Sequence, residues 1–234
     1  DALTVIGNNP SAEGDTLTVE GVLQGADNAQ WTPTGVDGGS LVVGAQTITV
    51  ETMERLVYEG MAEDESLTVN GTSAANTIVH TPGAAVDAGQ VQVDSLLAIH
   101  YLNLGAGGSV TLHGQGGADT VVARGTAGDD QLTVAAVTGT VSLTTIYGAH
   151  VPLLRTDATG EFLTLDGLEG NDDFTLNLPQ PYVTVTALGG GPGNSDVLTI
   201  NDQAGVADVL EVNTGFAPGE GSVEVNGGPQ TLDF

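Results

Sequence analysis

Apolar and polar residues alternate in short runs along almost the whole chain. Leu67-Thr-Val69, Val91-Gln-Val93, Val110-Thr-Leu112, Leu132-Thr-Val134, Phe174-Thr-Leu176, Leu198-Thr-Ile200 and Val223-Glu-Val225 share one form, two apolar residues flanking a polar one. Successive side chains of a strand point to opposite faces, so this pattern predicts short strands with one face buried and one wetted. Val, Thr, Ile and Leu suit a pleated, half-buried surface, and Gly, Asn and Asp bound each run. With the further runs that start at Val121, Val141, Val151, Phe162, Val183 and Leu210, neighbouring runs are mostly 9 to 13 residues apart. Helical periodicity is nearly absent, and Thr52–Tyr58 fits a helix or a strand equally well.

A longer period overlies these runs. Gly39-Ser-Leu-Val-Val43, Gly89-Gln-Val-Gln-Val93, Gly139-Thr-Val-Ser-Leu143 and Gly221-Ser-Val-Glu-Val225 read as one element, with first apolar positions at 41, 91, 141 and 223. The steps are 50, 50 and 82 residues, the last enlarged by an insertion of about half a repeat. The chain therefore divides into a partial repeat 1–38, repeats 39–88 and 89–138, an enlarged repeat 139–220, and the start of another at 221–234. Strands joined by tight Gly/Asp turns predict an all-β fold, a β-solenoid whose coils cover one another's apolar faces. The alternative is a string of small β-sandwiches, but a sandwich needs roughly 100 residues, twice this period.

Composition sharpens the picture. The chain carries 30 acidic residues against three arginines and no lysine, a net charge of −27. Such a surface repels phosphate backbones and anionic lipid and attracts divalent cations, which excludes nucleic acid and bare membrane as partners. Hydrophobic residues make up 40% of the chain and fall in regular clusters, which argues for a folded chain. There is no cysteine for disulfide or thiol chemistry, and no apolar run of the length that spans a bilayer.

Candidate chemistry sits in the turns. Gly114-Gln-Gly-Gly-Ala-Asp119, Gly125-Thr-Ala-Gly-Asp-Asp130 and Gly167-Leu-Glu-Gly-Asn-Asp172 follow one template, each ending just before an apolar strand. Gly189-Gly-Gly-Pro-Gly-Asn-Ser-Asp196 is a longer version, while Asp15 and Asp208 keep only its final part. These turns resemble the calcium-binding nonapeptide repeats of secreted RTX proteins, and the whole pattern is similar to Gly/Asp-rich tandem repeats of large bacterial surface and exported proteins. The resemblance implies Ca²⁺ held by Asp119, Asp130, Asp172 and Asp196, an oxygen ligand set suited to a hard cation. RTX turns follow one another every nine residues, whereas here Asp119 and Asp130 are 11 apart and Asp172 stands alone. The competing reading is ordinary turn chemistry, in which Asp and Asn side chains bond nearby backbone.

Other constellations offer less. Adjacent carboxylates such as Asp129/Asp130 point to opposite faces of a strand, unsuited to the facing pair that glycoside hydrolysis needs. His80, His100, His113 and His150 lack zinc-site spacing and read as turn or surface residues. Asn70-Gly-Thr72 matches a glycosylation acceptor and equally a turn, and Trp31 with four tyrosines is too sparse for a sugar-stacking platform. These observations predict an extracellular or cell-surface structural protein of bacterial type, a filament, surface-layer or adhesin segment, and not an enzyme. The rival readings are a secreted carbohydrate-active β-helix enzyme and a glycan-binding adhesin module. Both ends look cut through a repeat, so the Phe234 end is expected to meet the Leu3–Val5 strand of a neighbour, head to tail. Cell-surface glycan and cation-bridged neighbours are the other partners expected.

Overall fold

The computed structural model describes residues 2–7, 14–22, 25–145, 148–156, 162–191, 196–202, 210–214, 221–225 and 231–233. The chain is all-β, with no helix among the described residues. Strands β1 (Ala2–Ile6) and β2 (Thr16–Glu20) precede an antiparallel meander of β3 (Asn28–Gly35), β4 (Gly38–Val43) and β5 (Gln46–Glu51). Next, β6 (Arg55–Glu59) and β7 (Ser66–Asn70) lead to a second meander, β8 (Thr77–Pro82), β9 (Gly89–Val93) and β10 (Ile99–Leu102). Strands β11 (Ser109–His113) and β12 (Thr120–Arg124) lead to a third, β13 (Asp130–Val134), β14 (Val141–Thr145) and β15 (Gly148–Thr156). Four strands, β16 (Phe162–Asp166), β17 (Asp173–Asn177), β18 (Thr184–Leu188) and β19 (Val197–Asn201), precede the last meander, β20 (Leu210–Thr214), β21 (Gly221–Val225) and β22 (Thr231–Asp233). Thr52–Tyr58 contributes to β6 and forms no helix.

These strands build two eleven-stranded sheets. The first runs β1-β5-β4-β3-β7-β11-β15-β14-β13-β17-β19, the second β2-β6-β10-β9-β8-β12-β16-β18-β22-β21-β20. Single strands alternate between the sheets, and each meander lies wholly in one of them. Parallel pairs keep the apolar positions in register: Leu67 and Val69 lie beside Val110 and Leu112, Phe174 and Leu176 beside Leu198 and Ile200. One core therefore fills the space between the sheets, from Trp31 and Leu41 through Leu56, Ile78 and Leu112 to Leu165 and Phe174. Outward threonines stack at the same time, as in Thr133–Thr175–Thr199.

The long period has a simple origin. The four Gly-headed elements are the middle strands β4, β9, β14 and β21 of the four meanders. Between one meander and the next the chain crosses between sheets an odd number of times, so consecutive meanders occupy opposite sheets. The enlarged step of 82 residues holds four single strands where the others hold two, which adds one strand to each sheet.

The glycine that opens a middle strand is there to be covered. A Cβ on Gly39 would lie 2.6 Å from Cη2 of Trp31, and one on Gly89 would lie 2.7 Å from Cζ of Tyr101. Gly139 lies beneath Tyr182, whose hydroxyl donates to the Gly139 carbonyl at 2.5 Å. Trp31, Tyr101 and Tyr182, which look sparse in the sequence, are thus core lids over the glycines of the first three meanders. Trp31 also donates from Nε1 to the Leu97 carbonyl at 3.2 Å, tying the first meander to the loop after β9.

Candidate functional site

Five of the connecting turns follow one plan, a glycine, four further residues, then Asp, Asn or Glu: 60–65, 71–76, 114–119, 125–130 and 167–172. The carboxylate or amide folds back over the glycine, and a Cβ at Gly71, Gly125 or Gly167 would collide with the side chain of Asn76, Asp130 or Asp172. In two turns the residue after the glycine is threonine, which donates twice. The Thr72 N–H bonds Asn76 Oδ1 at 2.7 Å, and both the N–H and the hydroxyl of Thr126 bond Asp130. Glu65, fully buried, likewise collects the N–H groups of Met61 and Glu63.

The turns then stack. Asn76 N–H donates to Asp119 Oδ1 at 2.7 Å, Asp130 N–H to Asp172 Oδ1 at 2.9 Å, and Asp172 N–H to Asp196 Oδ1 at 2.9 Å. Each acidic side chain therefore serves the backbone of the adjacent turn that precedes it in the chain. Asp119, Asp130 and Asp172 are buried, while Asp196 on the outermost coil is exposed. Glycines at the turn apex permit the close approach. Gly170, with φ of 137°, would place a Cβ 2.6 Å from the Gly128 carbonyl of the turn beneath.

This geometry separates two of the candidate residues and joins two others. Asp119 and Asp130 are not neighbours, because one turn leads into β12 and the other out of it, about 17 Å apart for a five-residue strand. Asp172 does not stand alone, since it is the middle of the Asp130–Asp172–Asp196 stack. The Asp15 carboxylate faces Gly7, while Asp208 and Phe234 lie outside the described residues. Among the described residues no group of three or more His, Asp or Glu side chains is arranged to hold a metal ion. Sequence reasoning passed over Asn76, Asp27 and Glu65, although a glycine five or six residues upstream marks each.

Burial leaves the stack electrostatically uneven. It pushes the Asp172 carboxyl up to about 6, assisted by the charges of Asp130, Asp196 and Asp129 and opposed by the bond from the Asp130 amide. Its Oδ2 is buried with no hydrogen-bond partner. Asp130 is also raised by burial, but the Thr126 hydrogen bonds act against the shift.

Other candidates fall into place around this frame. Asn70 is buried, donating to Thr32 Oγ1 at 2.8 Å and accepting from Gln115 at 3.1 Å, so its amide is committed to packing. His80 and His150, expected at turns or on the surface, are buried between the sheets. Both line a cavity of about 20 Å³ with Tyr101, space for a water but not for a sugar ring. No helix among the described residues is long and apolar enough to cross a membrane. No protein-family model, curated protein or solved structure matches the chain.

Proposed function

We propose that this chain is a load-carrying segment of an extracellular repeat protein, a two-sided β-solenoid serving a filament, surface layer or adhesin. One observation carries the reading: the same inward pair and the same backbone-bound acidic residue recur coil after coil in register. Stacked parallel strands resist bending because each coil is held by a full ladder of hydrogen bonds and a continuous core. In the stacked turns Asp119, Asp172 and Asp196 each accept a backbone N–H of the adjacent turn, a structural use that a spacer requires. Net charge of −27 supplies solubility and repels like rods until cations bridge them.

Growth of the stack is part of this proposal. Strands β1 and β19 are the edges of one sheet, and β2 and β20 the edges of the other. Leu3 is 56% exposed and Leu198 and Ile200 are only half-buried, so both edges present apolar residues at the positions that other coils cover. Further coils, from the same chain or from a second copy, fit those edges head to tail. Ca²⁺ enters this proposal in two ways, bridging neighbours through exposed carboxylates, drawn by the net charge, and entering the turn stack at the unpartnered Oδ2 of Asp172.

Negative-stain imaging and sedimentation of the chain, with and without millimolar Ca²⁺, test the reading. Straight rods that lengthen with concentration or Ca²⁺ are expected. Release of reducing ends from a panel of soluble glycans, abolished by Asp172→Asn, would replace the structural assignment with the enzymatic one.

A further inference from the structure

The least expected group in the core is a pair of imidazoles from opposite sheets. His80 lies on β8 of one sheet and His150 on β15 of the other, 7% and 9% exposed. They line one cavity together with Tyr101, Pro82, Leu132 and Leu143. The cavity sits where the second and third meanders face each other, the middle of the stack. We propose that His80 and His150 form an acid-sensitive latch, which holds the two sheets together while both rings are neutral and releases them locally when the rings take up protons.

The surroundings show why charge is unwelcome there. On the His80 side, Tyr101 of β10 bonds His80 Nε2 through its hydroxyl at 2.7 Å, and the two rings stack with centroids 6.1 Å apart. Arg124 of β12 borders the cavity with its guanidinium turned to Asp166 at 3.4 Å, so the cation is held by another acid. The β14 strand contributes only Val141 and Leu143. The acids near the pair are Asp130 at the start of β13, which favours a charged His150, and Asp87, whose charge acts on Tyr101. Burial lowers His80 to about 4, with the neighbouring His150 pushing the same way. His150 is lowered too, again by burial, and Asp130 offsets part of the effect.

The order of events follows. His150 accepts the first proton because Asp130 offers a counter-charge, and His80 the second, against a cation already in the cavity. Two like charges in a space of about 20 Å³ repel, and solvation requires water to enter between the sheets. Both rings bind protons more tightly once unfolded, so their stabilising contribution is complete above about 6.5 and is lost as pH falls, for His80 over the interval down to about 4. The rest of the core between the sheets is built mainly of aliphatic side chains, so opening starts at the latch.

Amide hydrogen exchange of the full chain between pH 7 and pH 4, corrected for intrinsic rates, tests this together with the imidazole titrations. Protection in β8 and β14 is expected to fall by at least about tenfold more than in β16 and β17. The difference should vanish in the double variant His80→Gln/His150→Gln and persist in His100→Gln. Loss of protection that is uniform along the chain overturns the latch, as does protection in β8 and β14 that persists to pH 4. A His80 ring that titrates near 6.5 without any local opening overturns it equally, and this readout needs no variant to fold.

Discussion

Asp172 shows how much one side chain does in this architecture. Its Oδ1 accepts the Asp130 amide of the coil beneath, its own amide donates to Asp196, and its Oδ2 is buried without a partner. Replacing it with alanine strands the buried Asp130 N–H and should cost about 1–3 kcal/mol, read as a fall in melting temperature. Asp172→Asn keeps the acceptor and removes the buried charge. Because folding raises this carboxyl from 3.8 to about 6, the folded chain holds the proton more tightly than the unfolded chain. Its contribution to stability is therefore lowest above pH 6 and improves as pH falls towards 3.8, opposite in sign to the histidine pair. Asp172→Asn should accordingly be more stable than the parent at pH 8 and equal to it near pH 4. Millimolar Ca²⁺ should raise the parent's melting temperature at pH 8 and the variant's by less, by selective binding to the folded state. Equal shifts in both would remove Asp172 from the cation argument. The acidic template was legible in the sequence because glycine and Asp keep a fixed spacing. The partners were not, since the stacked Asn and Asp residues lie 43, 42 and 24 residues apart with no common period.

In the first three meanders an aromatic ring covers the glycine at or near the start of the middle strand. Gly39 is hemmed in by the Thr32 carbonyl at 2.5 Å and Trp31 Cη2 at 2.6 Å from where a Cβ would stand. Gly39→Ala should thus destabilise the chain by about 1–3 kcal/mol through overpacking, although alanine suits a strand better than glycine. Gly128→Ala, where the nearest atom is 3.7 Å away, is the matched control and should be close to neutral. If the two alanine variants unfold at the same urea concentration, the lid explanation for the 50-residue marker fails. At this scale the sequence was most informative. Every alternating run it offered lies in a strand, because burial of one face imposes period two. The histidine at position 80 could have been placed indoors on the same parity, two residues after Ile78. What the pattern could not convey is which strands pair, because inward Leu-Thr-Val runs are interchangeable as neighbours.

That interchangeability is itself a property of the whole molecule. A stack whose coils share register and inward chemistry has energetics that are nearly a sum over adjacent coils, whereas a sandwich is one closed unit. The enlarged interval allows a direct comparison, because it contains one coil more than the others. Residues 173–196 carry β17, β18 and the turn after it, and Asp172 and Asp196 are 24 residues apart at equivalent places in successive turns. Their deletion joins Asp172 to Val197, so β19 takes the place of β17 beside β13. Leu198, Thr199 and Ile200 then occupy the positions of Phe174, Thr175 and Leu176. On the other sheet β16 meets β22 directly, with Leu163 in register with Leu232, since both now pair with Val185. The shortened chain should express in soluble form, keep the β-sheet spectrum and unfold cooperatively. Its midpoint should fall only slightly, while the denaturant dependence should shrink in proportion to the lost coil. A closed sandwich could not lose two interior strands and the core residues Phe174, Leu176 and Val185 without collapse. An insoluble or unfolded deletion product would count against the solenoid reading and with it the proposed role as a spacer. A folded one would establish that length in this protein is adjustable one coil at a time.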